Sequence, residues 1–567
     1  MASVDEQSRT GAEALLCALR SSGVQYLFAT AGTDFTPLIE GLAHLPAASV
    51  PVAVTIPHET AAIGMAHGYW LVTGQPQALM VHVNVGLANT VMGVINAMSD
   101  NVPALVLSGR TPLTEIGHKG GRVTPVQHGQ EMFDQSSLMR DSVKYDYEIR
   151  YPEQCDSVVK RAASVATADP AGPVYLSLPR EPLSEPLPQG FTPAKPPAPT
   201  APPAPDSDAI ATLADWLRSA SAPVILCQRG DPQGQLSGVL SRLANEHGIA
   251  VCEPFTVRNV LPSDDPALIG YDPKAALNGA DLVIVVDCGV PWIEIAARPA
   301  TDARVVHIGP DPLFARRPVR GFRSDLSITA DPTRALAALH TACPNAAQSK
   351  VRKDHVASKR SAWQTATNAA LKAPDSGSPM SPAWFSRCVS DVMDKDAIAF
   401  NELGLVPNFM TLKGPNRLFT VPHSGGLGWG LPAALGAQLA DRSRLIISAM
   451  GDGSYMFANP VACHQIAEAL ELPILILIKN NGIWNAVRRA VVKSSPDGAA
   501  ARRNEIPLTS LAPQPDFCAI ARASRAHAEQ VTQARDLPAA LERAIDIIRT
   551  ERRHVLLDVT VAATDDF

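Results

Sequence analysis

Asp452 and Asn481 are the side chains of this 567-residue sequence whose types and spacing point most directly to chemistry. They lie in LIISAMGDGSYMFANPVACHQIAEALELPILILIKNNGIW, residues 445–484. A carboxylate and an amide oxygen are hard ligands of the kind magnesium takes at roughly 2.1 Å, beside phosphate oxygens and water. The elements between them predict that they meet. Leu445 to Met450 is a short apolar run suited to a buried strand, and Gly451-Asp452-Gly453 is a turn that must pass close to something. Asn459-Pro460 offers a helix cap with proline at the first helical position. Val461, Ile466, Ala467 and Leu470 give that helix an apolar side, and Leu472-Pro473 ends it before a second apolar run, Ile474 to Ile478. A right-handed crossover makes the two strands parallel, so Asp452 and Asn481 leave the carboxyl edge of the sheet, where such sheets bind ligands. Neighbouring strands lie about 4.8 Å apart, within reach of one ion. Gly-Asp-Gly alone is usually punctuation. With 26 residues from Ser454 to Lys479 and then Asn-Asn, that plain reading becomes unlikely, and the paired oxygens look built for a magnesium diphosphate.

A second candidate is Glu59 in PHETAAIGMAHGYWLVTG, residues 57–74, at the first turn of a helix rich in alanine and glycine. An acid there complements the helix dipole and needs no further role. His82 ends the apolar run Ala78 to Val83, where a lone histidine is more often structural. His128 and Gln130 lie on a long loop from Gly109 to Gln135, and loops this long inside compact domains tend to be functional or disordered. Gly425-Gly426-Leu427-Gly428 precedes the helix LPAALGAQLA and leaves backbone N–H groups open to phosphate.

Together these segments resemble the thiamine diphosphate enzymes, in which GDG is followed some two dozen residues later by NN, and HE-x-x-A-x-x-x-A-x-G-Y precedes it. The chain looks like their acetolactate synthase-like branch, which includes benzoylformate decarboxylase and benzaldehyde lyase. The resemblance implies that Asp452, Asn481 and the Ile483 carbonyl ligate magnesium, and that Gly453 and Ser454 contact the diphosphate. Leu427 matches the wedge that bends the cofactor, while Gly404, Leu405, Gly425, Gly426 and Trp484 fall at its other contacts. Glu59 matches the glutamate that hydrogen-bonds the pyrimidine ring; a carboxyl against apolar walls would have a raised pKa, suited to that role. With Glu59, His82 and Gln130 are the catalytic candidates. The cofactor lies between subunits in this family, which implies a homo-oligomer, at least a dimer and commonly a tetramer.

The reaction implied is decarboxylation of a 2-oxo acid, the cofactor's ylid adding to it and an enamine then being protonated or ligated to a second carbonyl compound. A rival is a lyase of 2-hydroxy ketones or 2-hydroxyacyl-CoA without decarboxylation, and another is acetolactate synthase proper. For the substrate pocket, Thr33, Trp292, Glu294, Ala486 and Ala490 are expected to contribute. Alanine stands at 486 and 490 where acetolactate synthases resemble one another in carrying methionine and tryptophan, which opens space for a bulky or aromatic 2-oxo acid. Benzoylformate decarboxylase's second pocket histidine falls at Glu294, a departure from that pattern. Arg488 and Arg489 are forked donors suited to a carboxylate, though exposed helix arginines are common.

The expected fold is α/β: three doubly wound parallel-sheet domains, at 1–180 (pyrimidine-binding), 207–342 (middle) and 379–567 (diphosphate-binding). A proline-rich linker, 181–206, and a basic one, 343–378, separate them. No Gly-x-Gly-x-x-Gly follows a strand of the middle domain, so it carries no dinucleotide fingerprint. Formal charge of -6 and pI near 6.2 give no reason to expect nucleic acid or membrane as partner. No uncharged apolar run approaches the roughly 20 residues that span a bilayer. Nine cysteines without a Cys-x-x-Cys pair suggest a soluble protein of a reducing, cytoplasmic compartment.

Overall fold

The computed structural model describes residues 9–344, 349–371, 379–503 and 505–564. Three parallel sheets, with helices between their strands, form an α/β architecture. The first sheet runs, from one edge, Val52–Thr55, Tyr26–Thr30, Gln77–Val81, Ala104–Gly109, Val174–Leu178 and Asp146–Glu148. The second has the order Leu326–Thr329, Arg304–Gly309, Leu282–Val286, Pro223–Cys227 and Ala250–Cys252. In the third the order is Leu418–Thr420, Ile398–Glu402, Ile446–Gly451, Leu475–Asn480, Val555–Thr560 and His527–Val531. Central strands such as Leu282–Val286 are buried along their whole length, which is why they read as unbroken apolar runs.

By internal packing the chain forms two compact units. One takes the chain to Thr200 with Pro422–Arg442 and Ala458–Leu470; the other takes Ala201–Val421, Ser443–Phe457 and everything from Glu471 onward. In the first unit, helix Glu59–Thr73 packs along helix Gly430–Ala440, and both are buried almost all round. Small residues make this possible. A Cβ on Gly68 would overlap the Ala433 carbonyl, and one on Gly436 would overlap the backbone of Met65. The two helices meet backbone to backbone, and Glu59 heads one of them.

Several expectations change. Val461 is 67% exposed, so it does not belong to an apolar helix side. Asn459 has a left-handed φ of 52° and makes no capping bond; its amide donates instead to Thr60 Oγ1 at 2.9 Å. The loop after Gly109 contains a short helix, Val126–Gly129, and a 3-10 turn at Gln135–Leu138. The linker at 181–206 opens on a buried helix, Arg180–Ser184, because Leu183 joins the first core. In the basic linker, helix Ser349–Ala370 is not simply a solvated face: Arg352 is 2% exposed and donates to the Leu217 carbonyl at 2.8 Å. Residues 345–348 and 372–378 of that linker lie outside the described residues. Eight of the nine cysteines are buried and all are free. Among the described residues, no helix is long and apolar enough to cross a membrane.

The helix pair gives a direct test. Gly68→Ala and Gly436→Ala are each expected to cost about 1–3 kcal/mol in urea unfolding through overpacking. Gly238→Ala lies in helix Gln235–His247, where a Cβ meets nothing within 4 Å, and is expected to stabilise by about 0.5–1 kcal/mol.

Candidate active site

In the first unit, three polar groups collect at the carboxyl edge of the sheet. Strand Tyr26–Thr30 runs into the turn Thr33–Phe35, and strand Gln77–Val81 ends on His82, directly before helix Val83–Ser99. His82 Nδ1 lies 2.5 Å from Asp34 Oδ1, and the Gln130 amide donates to His82 Nε2 at 3.1 Å. Asp34 is 4% exposed. The hydrogen bond to Asp34 raises the His82 pKa against the opposing pull of burial. Gln130 thus reaches His82. His128 does not; it turns outward and pairs with Arg122. Thr33 is exposed beside Asp34.

Glu59 begins its helix after His58, whose ring accepts from the Thr60 N–H at 3.3 Å. The Glu59 carboxylate accepts from Asn89 Nδ2 at 3.1 Å, with His58 Nδ1 at 3.9 Å. Helix Val83–Ser99 presents Asn89 to it. Gly86 leaves room for the carboxylate, since a Cβ there would lie 3.0 Å from Glu59 Oε1. The loop before helix Gly430–Ala440 is clamped by Asn96, which accepts from the Gly426 N–H at 3.1 Å and donates to the Gly426 carbonyl at 2.9 Å. Gly425 has a φ of 71°, which favours glycine, and Leu427 is half-buried.

In the second unit, strands Ile446–Gly451 and Leu475–Asn480 are parallel neighbours with Gly451 opposite Lys479. Asp452 and Asn481 therefore leave the same edge. Asp452 is 3% exposed and begins a helix, Asp452–Phe457, rather than sitting in an open turn. It accepts from the N–H of Gly453 at 3.0 Å, the N–H of Gly482 at 2.8 Å and Gln514 Nε2 at 2.8 Å. Burial nevertheless raises its pKa. Burial also lowers the Lys479 pKa, to about 8, with Arg489 adding repulsion. Asn481 Oδ1 accepts from the Ile483 N–H at 3.2 Å, and the Ile483 carbonyl accepts from the Asn485 N–H at 2.8 Å. The loop is pinned from outside: Trp484 N–H donates to Thr509 O at 2.7 Å and Leu511 N–H to Gly482 O at 2.9 Å. The Trp484 ring covers Gly453 so closely that a Cβ there would overlap it. Ser454 is buried next to it. On the adjacent strand, Asn401 Oδ1 accepts from Gly404 N–H at 3.0 Å and Leu405 N–H at 2.7 Å, shaping the turn.

Helix Asn485–Ser494 carries Ala486 and Ala490 and has no buried residue. Trp292 corrects an expectation. It is fully buried in the core of the middle sheet and donates to Glu294 Oε1 at 2.7 Å, so it is a packing residue. Glu294 itself is exposed. Sequence reasoning missed Asp34, Asn89, Asn96 and Gln514, which act on their partners from distant positions; the Ala31-Gly32-Thr33-Asp34 turn at a strand end was the one available signal.

Three family descriptions match: "Thiamine pyrophosphate enzyme, N-terminal TPP binding domain" over residues 9–138, the central domain over 210–339, and the C-terminal TPP binding domain over 404–559. The chain belongs to the thiamine pyrophosphate enzymes. It is similar to benzoylformate decarboxylase of Pseudomonas aeruginosa, 27% identical over 524 residues that cover 88% of this chain and 90% of the relative. A probable acetolactate synthase large subunit of Methanocaldococcus jannaschii is 25% identical, with 83% of this chain and 80% of the relative covered. The solved 4-hydroxybenzoylformate decarboxylase of Rhodococcus jostii superposes with a TM-score of 0.78 at 23% identity, covering 98% of this chain and 100% of that one. That last likeness concerns the fold.

The residues present fit the cofactor of this family. A carboxylate offers about four acceptor positions. Hydrogen bonds occupy three of them at Asp452, which leaves an acceptor position for a hard cation, and Asn481 leaves the same sheet edge. Gln514→Leu leaves the buried Asp452 one donor short. Bonds to charged groups contribute about 1.5–3 kcal/mol, so cation-free protein is expected to lose that much stability at neutral pH. The loss should shrink as acid protonates Asp452, which chemical denaturation across pH would record.

Proposed function

We propose that this chain is a thiamine diphosphate- and magnesium-dependent decarboxylase or carboligase of 2-oxo acids, with a bulky or aromatic acid as its substrate. When bound, the cofactor supplies a carbon nucleophile and an electron sink for the electrons left as carbon dioxide departs. This chain's residues hold and orient it. Asp452, Asn481 and the Ile483 carbonyl would hold magnesium, with Gly453 and Ser454 at the diphosphate. Gly404, Leu405, Gly425, Gly426 and Trp484 would make the remaining contacts, and Leu427 would support the bent form. Glu59, kept in place by Asn89, would hydrogen-bond the pyrimidine. His82 would carry a proton at Nε2, with Gln130 beside it.

The observation that carries the substrate class is the helix Asn485–Ser494, directly after the magnesium loop, where Ala486 and Ala490 present only methyl groups. Large side chains at either position would fill that face. Relatives named for benzoylformate and 2-ketoarginine, both larger than pyruvate, point the same way. Acetolactate synthase is the second reading, favoured by relatives of that name at 25% identity. Thr33, exposed beside Asp34, would contribute to the substrate pocket in either case. Glu294, exposed and bonded to Trp292, replaces a pocket histidine, so the proton supply would differ from that of benzoylformate decarboxylase. Oligomerisation into dimers or tetramers of this chain belongs to the same reading.

Carbon dioxide release from a panel of 2-oxo acids discriminates between these readings. Phenylglyoxylate is expected to outrun pyruvate, and Ala490→Trp to reduce the larger acid's rate selectively. Efficient acetolactate formation from pyruvate, with no turnover of larger acids, would establish the second reading. Asp452→Ala is expected to lose both magnesium and cofactor on dialysis, whereas full activity after exhaustive chelation would remove the metal from the account.

A further inference from the structure

Asp34 lies 48 residues from His82 in sequence, yet its carboxylate meets both the ring and the following peptide. Oδ1 faces His82 Nδ1 at 2.5 Å, and Oδ2 accepts from the Val83 N–H at 3.2 Å. Val83 has a φ of 32°, a left-handed value for a β-branched residue. Such conformations cost about 1–3 kcal/mol and persist where surrounding contacts over-determine them. Asp34 supplies one of those contacts. Two glycines close the remaining space: a Cβ on Gly32 would overlap the His82 ring, and one on Gly109 would overlap the Asp34 carboxylate. The pair is thus enclosed by backbone on both sides and has one arrangement open to it.

The partners also decide where the imidazole proton sits. Gln130 Nε2 can only donate, so His82 Nε2 must accept. A carboxylate can only accept when ionised, so His82 Nδ1 must donate to Asp34. Nε2 is left as the basic atom of the ring.

We propose that Asp34 is a positioning residue that fixes His82 in the Nδ1-protonated tautomer, keeps Nε2 available as the proton-carrying atom, and stabilises the imidazolium formed when Nε2 is protonated. The inference rests on the decarboxylase reading for its catalytic consequence only. In the decarboxylase reading, Nε2 would take a proton from solvent and deliver it to the substrate carbon, with the Asp34 carboxylate holding the ring through Nδ1. The His–carboxylate arrangement works here as in other acid–base sites, by orientation and by charge opposite the imidazolium.

Two readouts test this in the full-length protein loaded with thiamine diphosphate and magnesium. Histidine ¹⁵N resonances, with His82 assigned by its loss in His82→Gln, are expected to show a protonated Nδ1 and a bare Nε2 on the alkaline side of the His82 titration. A proton on Nε2 would overturn the inference whatever the protein catalyses, and that result does not depend on Asp34→Asn folding. In Asp34→Asn, kcat is expected to fall about 10²- to 10⁴-fold with KM little changed. The pH profile's His82 limb should move to lower pH, since the charged groups acting on His82 are Asp34 and, from helix Glu59–Thr73, Glu59. Asp34→Glu is expected to recover part of kcat. A folded Asp34→Asn enzyme with parental kcat and an unmoved profile would refute the positioning role. Absence of carbon dioxide release by the parent enzyme on every 2-oxo acid would refute the decarboxylase reading instead, and the resonance result would still decide the tautomer.

Discussion

A carboxylate buried at the end of a parallel strand is costly unless donors or a cation meet it, and Asp452 sets that condition for the whole second unit. Strand Ile446–Gly451 places it at the sheet edge, the strand beside it delivers Gly482, and a distant loop sends Gln514. Even so, burial raises its pKa. The donors hold the group in one orientation without neutralising it. In the proposed reading a divalent cation would complete the site, and the strand register brings Asn481 to the same edge.

The first unit solves a related problem differently. Asp34 is also buried at a strand end, but its partner is an imidazole from the end of the neighbouring strand rather than a set of N–H donors. Glu59 meets an amide, Asn89. Three carboxylates thus receive three distinct sets of partners: backbone N–H groups with Gln514, an imidazole, and an amide. Glycines recur beside each, at 453, 109 and 86, because a side chain there would occupy the carboxylate's space or its cover.

Much of this was legible in the sequence. Apolar runs of five or six residues, punctuated by glycine and proline, gave the three parallel sheets, and the spacing of Asp452 and Asn481 implied their shared edge. Parallel strands are buried on both faces, so their sequence signal is strong. The supports were not legible. Asn89, Asn96 and Gln514 act through long-range contacts that leave no local pattern, and Asn459 looked like a cap while its amide in fact reaches Thr60. Trp292 fills a core rather than a pocket, and an aromatic at a strand end has the same sequence signature in either case. The packing of helix Gly430–Ala440 on helix Glu59–Thr73 depends on glycines whose purpose shows only when both backbones are present.

The central claim is that Glu59, held by Asn89 at the head of a buried helix, activates a bound thiamine diphosphate. Exchange of the thiazolium C2 proton for deuterium, timed by rapid quench in parent and Glu59→Gln enzymes with cofactor and magnesium bound, measures that step before any substrate is added. The account predicts fast exchange in the parent and a loss of about 10²- to 10⁴-fold in the variant, the range for a positioned acid–base group. Equal exchange rates in the two loaded enzymes would return Glu59 to a partner of its helix dipole and contradict the account.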